Sequence, residues 1–169
     1  QGDFEKAVDA LRKSGIARAA SRAGRAASEG VVEAYIHPGN RVGVLIEVNC
    51  ETDFVARTDE FLELTRNLAM QLAAAGAEVV RREDLPAERV EREREILKAQ
   101  TDGQGKPPAI VEKIVTGKLE KFFSEICLLD QAYIRDDKTT VGDLVRQASA
   151  RTGENIQVRR FSRFRLGQE

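Results

Sequence analysis

Length, charge and cysteine content limit the kind of protein that this sequence can encode. The chain has 169 residues, 27 Lys plus Arg, 28 Asp plus Glu and 41% hydrophobic residues, which is typical of a globular protein with one core. Its net charge of −1 gives no global case for nucleic-acid binding. No apolar run approaches the roughly 18 residues of a membrane span. Cys50 and Cys127 form no pair motif, which favours buried thiols in a reducing compartment.

The motifs that catalysis or metal binding would require are missing. Neither Gly105-Lys106 nor Gly117-Lys118 has the upstream glycine and the following hydroxyl residue of a phosphate-binding loop. The single histidine, His37, lies in a predicted turn without a nearby cysteine pair, which disfavours a zinc site. We therefore expect a protein that is not an enzyme and that uses no cofactor and no metal.

The beginning of the chain predicts two helices. Residues 3–14 carry apolar side chains at helical spacing, and Ser14-Gly15 ends that helix. An Ala-rich helix follows over 16–27. Five basic residues and no acid lie between Arg12 and Arg25. They form either a solvated basic face or a contact surface for an acidic protein or RNA partner.

The next stretch alternates with a period of two residues, which is typical of strands. Residues 30–37 and 41–49 flank Pro38-Gly39-Asn40 and predict a hairpin. One face of its second strand is apolar, carrying Val42, Val44, Ile46 and Val48. A hairpin is not stable alone, so a third strand or a helix layer must cover it.

We predict the third strand over 156–166. The residues that share its apolar parity are Val158, Phe164 and Leu166. The alternation is imperfect, because Arg160 falls on this apolar side and Phe161 on the basic one.

Helices are predicted between these strands. An apolar stripe at helical spacing runs over 61–72, and a charge-rich helix follows Pro86. Residues 110–126 predict one or two helices interrupted at Gly117, and a capping box opens a last helix over 140–153. The order of elements predicts an α+β fold, in which helices pack on a three-stranded antiparallel sheet.

A short segment after the hairpin is the candidate functional site. In Thr52-Asp53-Phe54-Val55, either of the first two residues can cap a helix. Phe54 or Val55 then packs back on the sheet as a hydrophobic staple. Alternatively, Phe54 is displayed beside a carboxylate as an anchor for a partner's pocket. The pattern alone leaves both interpretations open.

This segment resembles a known family. Residues 48–57, Val-Asn-Cys-Glu-Thr-Asp-Phe-Val-Ala-Arg, are similar to the signature of translation elongation factor Ts, the guanine nucleotide exchange factor of EF-Tu. Four further stretches resemble that family in the same order: 2–15, 105–119, 128–131 and 153–161. The chain is identified as similar to the short type of member, which has a single core.

The resemblance implies a division of the chain into three parts. Residues 1–15 would be the last helix of the family's N-terminal UBA-like module, whose first two helices are missing. Residues 16–29 would be a basic linker helix, and residues 30–169 the core domain. The expected fold is thus an α+β core preceded by a remnant of a helical module.

The resemblance also implies a function. Such a protein binds EF-Tu·GDP, displaces Mg²⁺ and promotes GDP release so that GTP can rebind. Four residues would contact the nucleotide-binding domain near the Mg²⁺ site: Thr52, Asp53, Phe54 and Val55. Secondary contacts would come from Arg57, Arg12 and Lys13. The helices after Gly105 and the last strand would face a second domain of EF-Tu, and a homodimer is left open. The expected location is the bacterial cytoplasm, or the chloroplast stroma or mitochondrial matrix.

Two other functions fit the residues without the resemblance. In an RNA-associated protein, aromatic and basic residues of the last strand would stack bases and hold phosphates; these are Arg159, Arg160, Arg163, Arg165, Phe161 and Phe164. The net charge argues against this function, and we expect no direct nucleic-acid binding. In a purely structural interaction module, Phe54 would belong to the core.

Overall fold

The computed structural model describes residues 21–102 and 107–168. The predicted first helix, Arg12 and Lys13 lie outside the described residues, as does Gly105-Lys106. In the described part of the linker, residues 21 and 22 are helical and the chain then turns before the first strand begins at Glu29, so the prediction that this helix continues to residue 27 is wrong.

A hairpin opens the described chain, a run of helices follows, and a short ribbon, one helix and a last strand close it. The strands are β1 (Glu29–Ile36), β2 (Val42–Cys50), β3 (Ala132–Tyr133), β4 (Asp136–Thr140) and β5 (Gln157–Arg165). The α-helices are α1 (Asp53–Ala56), α2 (Asp59–Ala75), α3 (Ala87–Asp102), α4 (Pro108–Ile126) and α5 (Val141–Thr152). Short 3₁₀ helices span Arg82–Asp84 and Leu128–Asp130.

The main sheet has three antiparallel strands in the order β1-β2-β5, which confirms the predicted fold class and hairpin. Its central strand has one fully apolar inner face, where Val44, Ile46 and Val48 are at most 3% exposed. Helix α2 packs against β1 and β2, so this face becomes the floor of the core.

The prediction that Phe164 and Leu166 share the apolar face with Val158 is wrong. The pairing of β5 with β2 shifts by one residue and passes over Arg159, which marks a β-bulge. An extra residue in a strand reverses the side on which the following side chains fall. Phe161 therefore packs against the core, whereas Phe164 and Leu166 are 74% and 65% exposed.

Two helices complete the main core above the sheet. The predicted stripe on α2 is confirmed, because Phe61, Leu64, Leu68 and Leu72 are all buried. Helix α5 adds a second buried face. Its predicted capping box is also confirmed: the Thr140 side chain accepts from the Asp143 amide at 3.0 Å, and the Asp143 carboxylate accepts from the Thr140 amide.

Helices α3 and α4 pack against each other outside this core. Their contact is centred on Leu97, Val111 and Val115. Helix α4 runs without interruption through Gly117, which is exposed, so the predicted region contains one helix and not two. Packing on either side of Gly117 offsets the roughly 1 kcal/mol that glycine costs in a helix. In the described ranges, none of the helices has the length and hydropathy that crossing a bilayer would demand.

Candidate functional site

The candidate segment is a single helical turn, α1, and a threonine caps both its own N-terminus and the N-terminus of the next helix, α2. Thr52 has extended dihedral angles (φ −129°, ψ 154°), and its hydroxyl accepts from the Val55 amide at 3.4 Å. Six residues later, Thr58 caps α2 in the same way by accepting from the Phe61 amide at 3.3 Å. Because Ser and Thr side chains satisfy free amides at helix starts, these two threonines fix where each helix begins. The prediction that Thr52 or Asp53 caps the helix is confirmed for Thr52.

Phe54 and Val55 have different environments. Phe54 is 80% exposed, while Val55 is partly buried against the main core and Ala56 is buried. Successive side chains on a helix point about 100° apart, and in this turn Val55 and Ala56 face the core while Phe54 faces solvent. The staple interpretation thus holds for Val55, and the interpretation of Phe54 as a core residue is wrong.

Charged groups flank the exposed ring on the same turn. The Asp53 carboxylate and the Arg57 guanidinium form an ion pair with an N···O distance of 2.8 Å. The Asp53 side chain is 45% exposed and the Arg57 side chain 78% exposed. A pair this exposed adds little to stability. It does leave one acid and one base available beside an apolar side chain at the surface.

A carboxylate from a distant part of the chain supports this turn. Glu154, in the connection from α5 to β5, accepts from the backbone amides of Glu51 and Thr52 at 3.0 and 3.1 Å. Its other oxygen accepts from the Thr52 hydroxyl at 2.6 Å. In return, the Glu51 carboxylate accepts from the Asn155 amide at 2.7 Å.

Sequence reasoning did not identify Glu154 as a site residue. Its partners are more than 100 residues away along the chain, so no local periodicity could connect them. The available signal was its place in the stretch 153–161, which resembles a family signature as a whole.

The Cys50 thiol lies below the same turn and is fully buried. It donates to the carbonyl oxygen of Thr52 at 3.2 Å. Burial, together with the nearby Glu154 carboxylate, raises the pKa of Cys50 to about 11. Cys50 is therefore a neutral structural donor, and at neutral pH it has no thiolate for covalent chemistry.

The two faces of β5 divide the residues of the alternative RNA site, because side chains alternate between the faces after the bulge. Arg160 lies on the outer face of the sheet and pairs with the Glu47 carboxylate at 2.7 Å. Phe161 packs against the core, and Arg163 turns the same way to donate to the Ala73 carbonyl oxygen at 3.4 Å. The aromatic and basic side chains therefore do not form one stacking surface, which disfavours that alternative.

The structure brings Thr52, Asp53, Phe54, Val55 and Arg57 into one surface turn. Arg12 and Lys13 lie outside the described residues and stay predictions. Over the ranges 21–102 and 107–168, no cluster of three or more His, Cys, Asp or Glu side chains is arranged to hold a metal ion. What the turn offers is an exposed aromatic side chain and two charges on a base anchored in the core.

Comparison with known proteins assigns the chain to a family. The model of the family described as Elongation factor TS matches residues 12–168. Elongation factor Ts of Carboxydothermus hydrogenoformans is 60% identical over 167 residues, covering 99% of this chain and 77% of the relative. Elongation factor Ts of Moorella thermoacetica is 58% identical, with 99% and 82% covered. The chain therefore belongs to the elongation factor Ts family and is a translation elongation factor.

Proposed function

We propose that this chain is a guanine nucleotide exchange factor for EF-Tu, which binds EF-Tu·GDP and promotes release of GDP so that GTP can rebind. The contact residues would be Thr52, Asp53, Phe54 and Val55, with Arg57, Arg12 and Lys13 as secondary contacts. The observation that carries the proposal is the 80% exposure of Phe54 on a turn whose other side is fixed in the core. Because the relatives are bacterial, the proposed site of action is the bacterial cytoplasm.

An exposed phenylalanine suits this role for an energetic reason. A phenyl side chain can bury roughly 150–250 Å² when it enters a partner's pocket. Phe54 makes that area available without unpacking the core of its own protein. Since the turn is already fixed by its cap and by Val55, little conformational entropy is lost on binding.

The proposed mechanism acts on the metal ion of the partner. Mg²⁺ is the largest local positive charge on a bound nucleoside diphosphate, so displacing it weakens GDP binding. Phe54 would act as the wedge, and Asp53 as the polar contact that helps to shift the partner's helix. The coupling is reciprocal: bound GDP weakens the affinity for this chain by the same factor. No bond is made or broken, so the proposed activity is not enzymatic in the chemical sense.

A second contact surface is proposed on the outer face of the main sheet. Four apolar side chains lie exposed there: Val32 at 63%, Ile36 at 61%, Leu45 at 49% and Phe164 at 74%. Apolar clusters of this kind mark interaction surfaces more often than isolated exposed residues do. The proposed occupant is a second domain of EF-Tu, because the resemblance turns the last strand, which carries Phe164, toward that domain. Sedimentation with and without EF-Tu tests this proposal: self-association of the chain alone that Phe164→Ala abolishes would instead make a second copy the occupant.

The exchange activity can be tested by release of a fluorescent GDP analogue from EF-Tu, with and without this chain. We expect acceleration by the unmodified chain and a lower maximal rate for Phe54→Ala and Asp53→Ala. Ile96→Ala is the matched control, since it also removes an exposed apolar side chain, but from α3, which is outside both proposed contact surfaces. The maximal rate of the control, read at saturating chain, should stay unchanged. No acceleration by a folded chain that binds EF-Tu would contradict the proposal.

A further inference from the structure

We infer that Glu154 is a positioning residue that fixes the displayed geometry of Phe54 through its hydrogen bonds to Glu51 and Thr52. The inference rests on the proposed exchange function, in which Phe54 contacts the partner. Glu154 itself is not part of the proposed contact residues. Its effect would be transmitted through the backbone at the start of α1.

The hydrogen bonds of Glu154 act at the point where the chain changes from strand to helix. Glu51 and Thr52 lie between the end of β2 and the first residue of α1, and the backbone amides of both donate to the Glu154 carboxylate. A carboxylate that accepts several hydrogen bonds makes stronger contacts than a neutral acceptor does. Glu154 therefore holds the two amides and the capping hydroxyl of Thr52 as one unit.

A second set of contacts links this unit to neighbouring chain segments. The Glu51 carboxylate accepts from the Asn155 amide at 2.7 Å. The Asn155 side chain donates to the carbonyl oxygen of Arg25 at 2.7 Å. The start of α1 is thus attached to the connection between α5 and β5 and to the segment before β1. Helix α1 has only four residues, so it depends on such contacts for its orientation.

This arrangement predicts a specific kinetic signature. If Glu154 acts only by increasing the fraction of free molecules in which Phe54 has its binding-competent orientation, its loss lowers that fraction and raises the apparent dissociation constant by the same factor. The bound complex is then unchanged. Glu154→Ala should therefore raise the chain concentration for half-maximal GDP release by about tenfold, which equals about 1.4 kcal/mol. The maximal rate at saturating chain should stay the same. Phe54→Ala should instead lower the maximal rate.

The conservative variant Glu154→Gln should recover most of the effect. Its amide oxygen can still accept from the two backbone amides, while its amino group faces the Thr52 hydroxyl. We expect a rise of about threefold in the half-maximal concentration, between the unmodified chain and Glu154→Ala. Glu78→Ala is the matched control. Its carboxylate likewise joins two parts of the chain, pairing with Arg89 of α3 at 2.7 Å, but it lies outside the proposed contact surfaces.

Amide hydrogen exchange separates local positioning from general stability, and it needs no partner protein. The Ala56 amide donates to the Thr52 carbonyl oxygen at 3.2 Å and reports on α1, whereas Leu68 reports on the centre of α2. In Glu154→Ala we expect exchange at Ala56 to rise about tenfold and exchange at Leu68 to change less than about twofold. An equal rise at both amides would overturn the inference, since the role would then be one of global stability.

The double variant Phe54→Ala, Glu154→Ala completes the test. If Glu154 acts through Phe54, adding Glu154→Ala to the Phe54→Ala chain should leave the half-maximal concentration within about twofold. A full tenfold effect in that background would refute positioning of Phe54. The two proposals fail in different ways. If the unmodified chain does not accelerate GDP release but Glu154→Ala still raises hydrogen exchange at the Ala56 amide, only the proposed nucleotide exchange function is contradicted. Unchanged Ala56 exchange contradicts the role of Glu154 alone.

Discussion

Two phenylalanines seven residues apart should respond in opposite ways to the same substitution. Phe61 is 1% exposed in the main core, and Phe54 is 80% exposed on α1. Truncation of a core phenylalanine to alanine costs about 3–5 kcal/mol, whereas a surface substitution stays within about 0.5 kcal/mol. For a chain of this size, about 1 kcal/mol corresponds to about 2–4 °C in the melting temperature. Phe61→Ala should therefore lower Tm by about 6–20 °C, and Phe54→Ala by less than about 2 °C.

Thermal unfolding followed by circular dichroism measures both values, and urea unfolding gives the free energies independently. The slope of the urea transition should be the same in all variants, which verifies that the denatured states are comparable. Phe164→Ala serves as a second surface reference, because its ring is 74% exposed. A loss of more than about 2 kcal/mol in Phe54→Ala, with an unchanged slope, would refute the reasoning and return Phe54 to the core.

Three further predictions concern a glycine, an aspartate and the two cysteines. Gly30→Ala should lower stability by at least about 2 kcal/mol in urea unfolding, because φ is +142° and a Cβ would lie 2.1 Å from a β2 carbonyl oxygen. Burial raises the pKa of Asp143, but hydrogen bonds from Arg146 and a threonine outweigh it and hold the pKa below the ordinary 3.8. The stability that Asp143 contributes is therefore present above about pH 4 and lost in more acidic solution, so the deficit of Asp143→Asn should shrink there. Cys50 and Cys127 should react with a thiol reagent at pH 8 only after unfolding, because burial raises the pKa of both to about 11.

The sequence predicts the parts of the fold that depend on periodicity. The apolar stripe at 61–72 and the alternation at 42–48 each lie within one element, and both are confirmed. The bulge at Arg159 could not be predicted in this way, because it depends on the pairing of β5 with a strand more than 100 residues earlier. In the sequence, the bulge is indicated only by the imperfect alternation at Arg160 and Phe161.

Other differences have similar physical causes. The β3–β4 ribbon was not predicted, because β3 has only two residues and too few positions to show alternation. It is held from outside by the buried Gln71, which donates to the Ala132 carbonyl oxygen and accepts from the Ile134 amide. At the site, the exposure of Phe54 and the burial of Val55 depend on the tertiary position of a single turn. The pattern therefore left two interpretations where the structure has one.

The proposal that Phe54 drives nucleotide exchange is tested most directly by one comparison. The maximal rate of GDP release from EF-Tu should be measured at saturating concentrations of the unmodified chain and of Phe54→Ala, with both proteins verified as folded. We predict that the unmodified chain accelerates release and that Phe54→Ala, with an unchanged Tm, loses most of the acceleration. Equal maximal rates for the two chains would contradict the account, since Phe54 would then be an exposed residue without a role in exchange.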